Sequence, residues 1–175
     1  MVRIGLRKRT ADIMLLLVFA PCLLGAAGFR SDFDERVLAS HNLERAELGL
    51  RPLRWNSDLA AGAEQWADYL TTSDRFEHSP NAAGDPIGEN LWGGTAGRFQ
   101  PESMVARWIA EKQHFKIGVF PANSLTGDVR DVSHYTQVIW RKSSEVGCAL
   151  SRGPREEILV CRYSAAGNVY GQTPV

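Results

Sequence analysis

The sequence lacks the short motifs that would assign a function directly. It has no His-Glu-x-x-His metalloprotease motif, no Gly-x-Ser-x-Gly nucleophile motif and no dinucleotide-binding fingerprint. The glycine-rich segment GGTAG at 93–97 has no lysine after it, so it indicates a flexible turn rather than a phosphate-binding loop. The charge is balanced, with 20 basic and 20 acidic residues, so bulk electrostatics does not favour nucleic acid or an anionic membrane as a partner.

The sequence also lacks an apolar run long enough to span a bilayer. The run from Ile13 to Leu24 contains Pro21 and is shorter than the roughly 20 residues that a transmembrane helix needs. Basic residues precede this run and small residues, GAAG, follow it at 25–28, an order typical of a secretory signal peptide. We therefore predict a cleaved leader at 1–28 and a mature domain at 29–175, extracellular or periplasmic, without a stable membrane anchor. Loss of the leader would remove four basic residues and one acidic residue and leave a net charge of −3.

Cysteine is scarce, and its spacing is informative. Once the leader is cleaved, only Cys148 and Cys161 remain. They lie in two strand-like segments on either side of a turn near Pro154, and a hairpin folded there would place the two cysteines opposite each other. We expect one disulfide, which in an exported protein is more typical than two buried thiols. Closing this loop would stabilise the fold by roughly 3 kcal/mol in the chain-entropy model.

Hydrophobic periodicity predicts helices first and strands last. Helical patterns cover 32–48, 57–70 (with Asn56 or Ser57 as its cap) and a segment beginning at Pro101. A long loop without regular periodicity occupies 71–99. The aromatic and β-branched segment 135–140 predicts a strand, and the cysteine hairpin follows it. This order indicates a single α+β domain.

Four polar residues stand in unusual sequence positions: His78, Glu89, Glu111 and His134. Since no two of them are three or four residues apart, only the tertiary fold can bring them together. Taken singly, each is more typical of an ordinary hydrogen-bonding group than of a ligand. Glu111 is a partial exception, because the last turn of a helix disfavours a negative charge and so indicates a specific partner.

Five segments, in order, resemble the CAP superfamily of cysteine-rich secretory, antigen-5 and plant pathogenesis-related class 1 proteins. The residues that carry this resemblance are HNLERAELGLRPLRWNSDLAAGAEQWA (41–67), HSPNAAGDPIGENLW (78–92), WIAEKQHF (108–115), HYTQVIW (134–140) and ILVCRYSAAGNV (158–169). One departure is Ser133, where a glycine commonly precedes the signature histidine. The short form with one disulfide looks like bacterial members, and the cysteine-rich C-terminal region of many animal members is missing, so functions tied to that region do not carry over.

The resemblance implies a three-layer α-β-α sandwich with a central antiparallel sheet. It also implies that His78, Glu89, Glu111 and His134 converge in one cleft. Two neutral imidazoles there would bind Zn²⁺ weakly and reversibly, because catalytic zinc sites usually have three protein ligands. Relatives that bind sterols or fatty acids suggest a hydrophobic ligand, for which Phe115, Phe120 and Leu125 are candidate groove residues; the alternative is that these three belong to the ordinary core.

Three functional hypotheses follow. The leading one is a secreted, non-enzymatic binding module for a divalent metal at His78 and His134 and for a hydrophobic small molecule. The second is a metal-dependent hydrolase, possibly a protease, with Glu89 or Glu111 as the general base. The third is a structural or interaction protein that binds an extracellular protein and uses the four residues only to stabilise its fold.

Overall fold

The computed structural model describes residues 25–80 and 86–175, with side chains from Asp32 onward. Most of the predicted leader and the loop residues 81–85 lie outside this part. No helix within the described ranges has the length and hydropathy needed to cross a bilayer. The elements in chain order are α1 (Gly25–Glu47), β1 (Arg54–Trp55), α2 (Ser57–Ser73), β2 (Gly88–Thr95), α3 (Pro101–Ile109), 3-10 turns at Ala110–His114 and Val129–Asp131, α4 (Ser133–Val138), β3 (Glu145–Arg152) and β4 (Glu156–Ser164).

The four strands form one sheet in the order β1-β3-β4-β2. The three longer strands are antiparallel, as predicted, and the two-residue β1 adds a short parallel pairing at the β3 edge. In the hairpin β3–β4, Cys148 lies directly opposite Cys161 and the two form a disulfide, which confirms the predicted register and pairing.

Helices cover both faces of the sheet. On one face α2 packs Ala63, Ala67 and Leu70 against Leu91 and Val160. On the other face α1, α3 and α4 enclose a larger core, whose buried members include Val37, Met104, Trp108, Val138 and Leu159. The α+β class and the three-layer α-β-α sandwich are therefore confirmed.

Local signals predicted α2 well. Asn56 caps this helix by accepting hydrogen bonds from the backbone N–H groups of Asp58 and Leu59, at 2.9 and 3.0 Å. The predicted start of α3 at Pro101 is also confirmed, whereas two boundaries of α1 and α2 differ. Helix α1 begins at Gly25 rather than Asp32, and α2 continues to Ser73.

Two predicted elements were wrong. The segment 135–140 is not a strand, because α4 occupies Ser133–Val138. The supposed long loop contains strand β2, whose Gly88 and Gly94 weaken the local strand signal. These glycines serve packing: a Cβ on Gly88 would collide with the Gln137 amide, and one on Gly94 with the Trp92 ring.

A buried arginine ties the end of α1 to the connection between α4 and β3. The Arg45 side chain is fully buried, and burial lowers its pKa to about 10. Its guanidinium donates to four backbone carbonyls, those of Arg51, Val138, Trp140 and Ser143, at 2.9–3.1 Å. Arg45 therefore fixes the chain on both sides of Ile139.

Candidate functional site

The first site is built where the 3-10 turn after α3 meets the start of α4. Glu111 accepts hydrogen bonds from the backbone N–H groups of His134 and Tyr135, both at 3.0 Å, and from Nδ1 of His134 at 2.6 Å. The first N–H groups of a helix have no partner within the helix, so the carboxylate supplies one. This contact is the specific partner that the sequence position of Glu111 indicated. It also explains why the segment is helical.

Two neighbours fix the position of His134. The Trp108 ring lies nearly parallel to the imidazole, with the ring centroids 6.4 Å apart and an angle of 13° between the planes. Asn90 donates a hydrogen bond from its amide to the His134 backbone carbonyl at 3.0 Å. The His134 side chain is 33% exposed, so its ring is held on one side and open to solvent on the other.

The second site lies at the start of β2. Glu89 accepts hydrogen bonds from His78 Nδ1 at 2.9 Å, from the Ser79 backbone N–H at 2.9 Å and from the Ser79 hydroxyl at 2.7 Å. Arg162 adds a longer contact at 3.4 Å. Burial alone would raise the pKa of Glu89, but the hydrogen bonds from His78 and Ser79 outweigh it, and the pKa is lowered. Glu89 is therefore held as a carboxylate.

The two histidines share one arrangement. In each of them Nδ1 faces a carboxylate oxygen, and Nε2 has no hydrogen-bond partner within the described ranges. A carboxylate on Nδ1 fixes the tautomer that carries its proton there and leaves the lone pair on Nε2. In that tautomer, Nε2 is the ring nitrogen that can accept a hydrogen bond or a metal ion.

The structure brings the four predicted residues together as two pairs, His78–Glu89 and His134–Glu111. Among residues 25–80 and 86–175 it forms no group of three or more His, Cys, Asp or Glu side chains that could hold a metal ion. The convergence of all four residues in a single cleft stays a prediction.

Sequence reasoning missed a chain of buried hydrogen bonds that leads from His134 to α1. Asn90, whose amide holds the His134 carbonyl, also donates to the Tyr163 hydroxyl at 3.3 Å. That hydroxyl contacts His41 Nε2 at 2.8 Å, while His41 Nδ1 bonds the Val37 carbonyl at 2.8 Å. His41 is fully buried, and desolvation lowers its pKa to about 4, so the ring is neutral at pH 7. His41 lies within the helical pattern predicted at 32–48, but that pattern did not indicate its hydrogen-bond partners.

The candidate groove residues occupy three different environments. Phe115 is half-buried and packs edge-on against Tyr135, with the centroids 5.3 Å apart. Phe120 is buried against Trp140, at 6.3 Å between centroids. Leu125 is 63% exposed. The two phenylalanines therefore fit the alternative that they belong to the core.

The sequence of this chain matches a known protein family. The model of the cysteine-rich secretory protein family, CAP, matches residues 38–163. The chain belongs to the CAP family. Among its relatives, pathogenesis-related protein 1 of Arabidopsis thaliana is 35% identical over 164 residues, covering 91% of this chain and 94% of the relative. Pathogenesis-related protein PRMS of Zea mays is 31% identical over 170 residues, covering 95% and 97%.

Solved structures agree with this CAP fold. NaASP2, solved with Zn²⁺, superposes with a TM-score of 0.71 at 18% identity, covering 82% of this chain and 85% of that one. Hookworm platelet inhibitor superposes with a TM-score of 0.63 at 19% identity, covering 82% and 74%. These two solved structures support the fold of the chain and nothing more. The relatives by sequence named above are plant proteins, and the expected bacterial type stays a prediction.

Proposed function

We propose that this CAP domain is an exported, non-enzymatic binding module that takes up a divalent cation, Zn²⁺, weakly at His78 and His134. The observation that carries the proposal is the shared arrangement of the two rings, each with Nδ1 on a carboxylate and Nε2 without a hydrogen-bond partner in the described part of the chain. Zinc-binding histidines commonly have this partner on the second nitrogen. The disulfide and the secretory family support export.

The donor set fits reversible binding better than catalysis. Two histidine ligands are fewer than the three that hold catalytic zinc, so a loosely held ion is expected. Glu89 and Glu111 each accept three or more hydrogen bonds from neighbouring side chains and backbone N–H groups, so both carboxylates already have structural partners. The Ser79 hydroxyl donates to Glu89, and it forms no Ser–His pair with either ring in the described part of the chain. These contacts favour binding over the alternative of a metal-dependent hydrolase.

The test is a zinc titration by calorimetry on metal-stripped protein. We expect saturable binding near one equivalent, with little or none left in the variant His78→Ala/His134→Ala. The matched control is His114→Ala, because His114 belongs to neither pair, and it should bind like the wild type. Equal binding by the double variant, or no binding by the wild type, would contradict the proposal and favour the structural role.

The single variants distinguish a shared site from two separate ones. If both rings hold one ion, His78→Ala and His134→Ala should each abolish saturable binding. If each His–Glu pair binds alone, each single variant should lower the stoichiometry by half. A hydrophobic ligand, a sterol or a fatty acid, is also part of the proposal, and extraction of the purified protein with organic solvent followed by mass spectrometry tests for it.

A further inference from the structure

The sheet has an open edge on the side away from β2. A cavity of about 460 Å³ opens there between the start of α1, the first half of α2 and strand β3. This volume is in the range of ligand sites, roughly 300–1,000 Å³. None of its lining residues belongs to either His–Glu pair.

The cavity exists because β1 stops early. Strand β1 pairs with β3 only at Glu145 and Val146, and the chain then turns into α2 at Ser57. Strand β3 continues to Arg152 without a neighbouring strand on that side in the described part of the chain. The open space therefore lies where a longer β1 would have continued the sheet.

The direction of the unpaired backbone groups follows from the two ends of β3. At the hairpin, the Gly153 N–H donates to the Glu156 carbonyl at 2.8 Å, so the backbone groups of residue 153 point toward β4. Since these groups alternate in direction along an antiparallel strand, those of the even-numbered residues of β3 point away from β4. At the other end, the Val146 carbonyl accepts from the Asn56 N–H at 2.9 Å, which confirms the outward direction. The outward residues beyond β1 are Cys148, Leu150 and Arg152.

The outward residues offer donors and acceptors in equal number. Cys148 and Leu150 each present one N–H and one C=O group on this side, and neither group has a hydrogen-bond partner there among the residues that the structure describes. The two residues lie about 7 Å apart along the strand. Donors and acceptors that repeat at this spacing are complementary to an extended polypeptide backbone.

Charge does not select the ligand of this cavity. Its charged lining residues are Asp34, Glu64 and Arg152, and each already takes part in an interaction within the chain. The rest of the lining is mainly apolar and includes Phe33, Trp55, Ala60, Ala61 and Leu150. The backbone edge, together with apolar contacts, therefore determines what fits.

The edge is recessed, which limits what can reach it. Cys148 is only 2% exposed, and α1 and α2 flank the space beyond β3 at Phe33 and Ala60. A second copy of the domain would bring its own flanking helices against these two. A single extended segment carries no such helices, so it fits the space better.

We propose that this edge binds an extended segment of a partner protein as an added β-strand. The outward N–H and C=O groups of Cys148 and Leu150 would exchange hydrogen bonds with the backbone of the segment, and its apolar side chains would pack against the lining. The stretch from Cys148 to Arg152 spans about 13 Å, enough for roughly four extended residues. This interaction is independent of the proposed zinc site.

The test uses the peptide acetyl-Lys-Val-Thr-Val-Thr-Val-Lys-amide as the probe in an NMR titration of the isotopically labelled protein. We expect saturable shifts of the backbone signals at 148–152. Hydrogen exchange of the outward Leu150 N–H should slow on binding, while that of the inward Ala149 N–H, which is already bonded to β4, should change little.

The matched control is the same peptide N-methylated at its three central residues, which removes N–H donors from both of its edges. It should bind at least about tenfold more weakly, since the hydrogen bonds to the edge are lost. A purely apolar groove would bind the methylated peptide at least as well, because methylation adds apolar surface.

Two variants at one position complete the design. Leu150→Pro removes the outward N–H without removing a hydrogen bond to β4, and edge strands accept proline at such positions; it should weaken peptide binding at least about tenfold. Leu150→Ala keeps this N–H and should retain most of the binding. His78→Ala/His134→Ala should bind the peptide unchanged. If Leu150→Pro does not fold, the methylated peptide decides the question.

Four results would overturn the proposal. They are no binding of the probe, equal binding of the two peptides, shifts confined to other surfaces, and unchanged binding by a folded Leu150→Pro variant. A dimer of the protein alone that Leu150→Pro abolishes would also overturn it, because that result would assign the edge to a second copy of this chain. Analytical ultracentrifugation without peptide tests for such a dimer.

Discussion

The buried imidazole of His41 predicts a specific loss of stability in mild acid. Desolvation lowers its pKa to about 4 in the folded protein, against an ordinary value of 6.5. The unfolded chain therefore binds a proton at this residue between these two pH values, while the folded protein does not. Stability contributed by the neutral ring is complete above pH 6.5 and is lost as the pH falls toward 4. The full difference corresponds to roughly 3 kcal/mol, of which about 2 kcal/mol is lost by pH 5.

The assay compares the wild type with His41→Gln, which has no titratable group at this position. Urea unfolding at several pH values between about 7.5 and 5 gives the free energy of unfolding of each protein. The variant should be less stable at pH 7.5, because it loses the bonds to Tyr163 and Val37. The gap between the two proteins should narrow by about 2 kcal/mol by pH 5, since only the wild type has the extra proton to bind.

A difference in the free energy of unfolding that stays constant over that pH range would refute the reasoning. It would mean that His41 has the same pKa in the folded and unfolded states, and hence that its burial carries no electrostatic cost. An NMR titration of the His41 ring gives an independent check, since its signal should stay in the neutral position at pH 5.

Two further predictions concern the framework around the sites. Cys148→Ala/Cys161→Ala should lower the free energy of unfolding by about 3 kcal/mol, because the disulfide closes a loop that the unfolded chain would otherwise leave open; an unchanged urea midpoint for this variant and for the reduced wild type would contradict this. Arg45→Lys should cost about 2–4 kcal/mol, since one ammonium group cannot replace all the hydrogen bonds that the guanidinium donates to carbonyls such as those of Val138 and Ser143. The control is Arg51→Lys at an exposed position, measured in the same unfolding assay. Similar losses of stability in both variants would contradict the structural role of the buried Arg45.

The series of buried hydrogen bonds from Val37 to Asn90 is relevant to function because it ends at His134. Trp108 lies between His41 and His134, with its ring centroid 6.2 Å from the first and 6.4 Å from the second. Asn90 holds the backbone of His134, and Tyr163 connects Asn90 to His41. The partly exposed His134 imidazole therefore rests on a buried, hydrogen-bonded support, which limits the orientations available to its Nε2.

The features that the sequence determined by itself depend on residues that are close together in the chain. The hairpin register follows from two strand-like segments around one turn, and it fixed the Cys148–Cys161 pairing. The Asn56 cap and the apolar face of α2 follow from side-chain chemistry within a few residues. The family resemblance added the sandwich and the expected convergence of the four polar residues. Each of these inferences uses contacts between residues close in sequence or a motif that can be read directly from the sequence.

The tertiary structure alone decided the rest, because the deciding contacts are distant in sequence. Segment 133–138 has strand-like residues, yet it is a helix whose first N–H groups are satisfied by Glu111, more than 20 residues away. Strand β2 is rich in glycine, and only its pairing with β4 and its packing against Gln137 make it a strand. The pairing of each histidine with its own carboxylate, and the cavity left where β1 ends, likewise depend on how the layers close on one another. No local propensity encodes those distances.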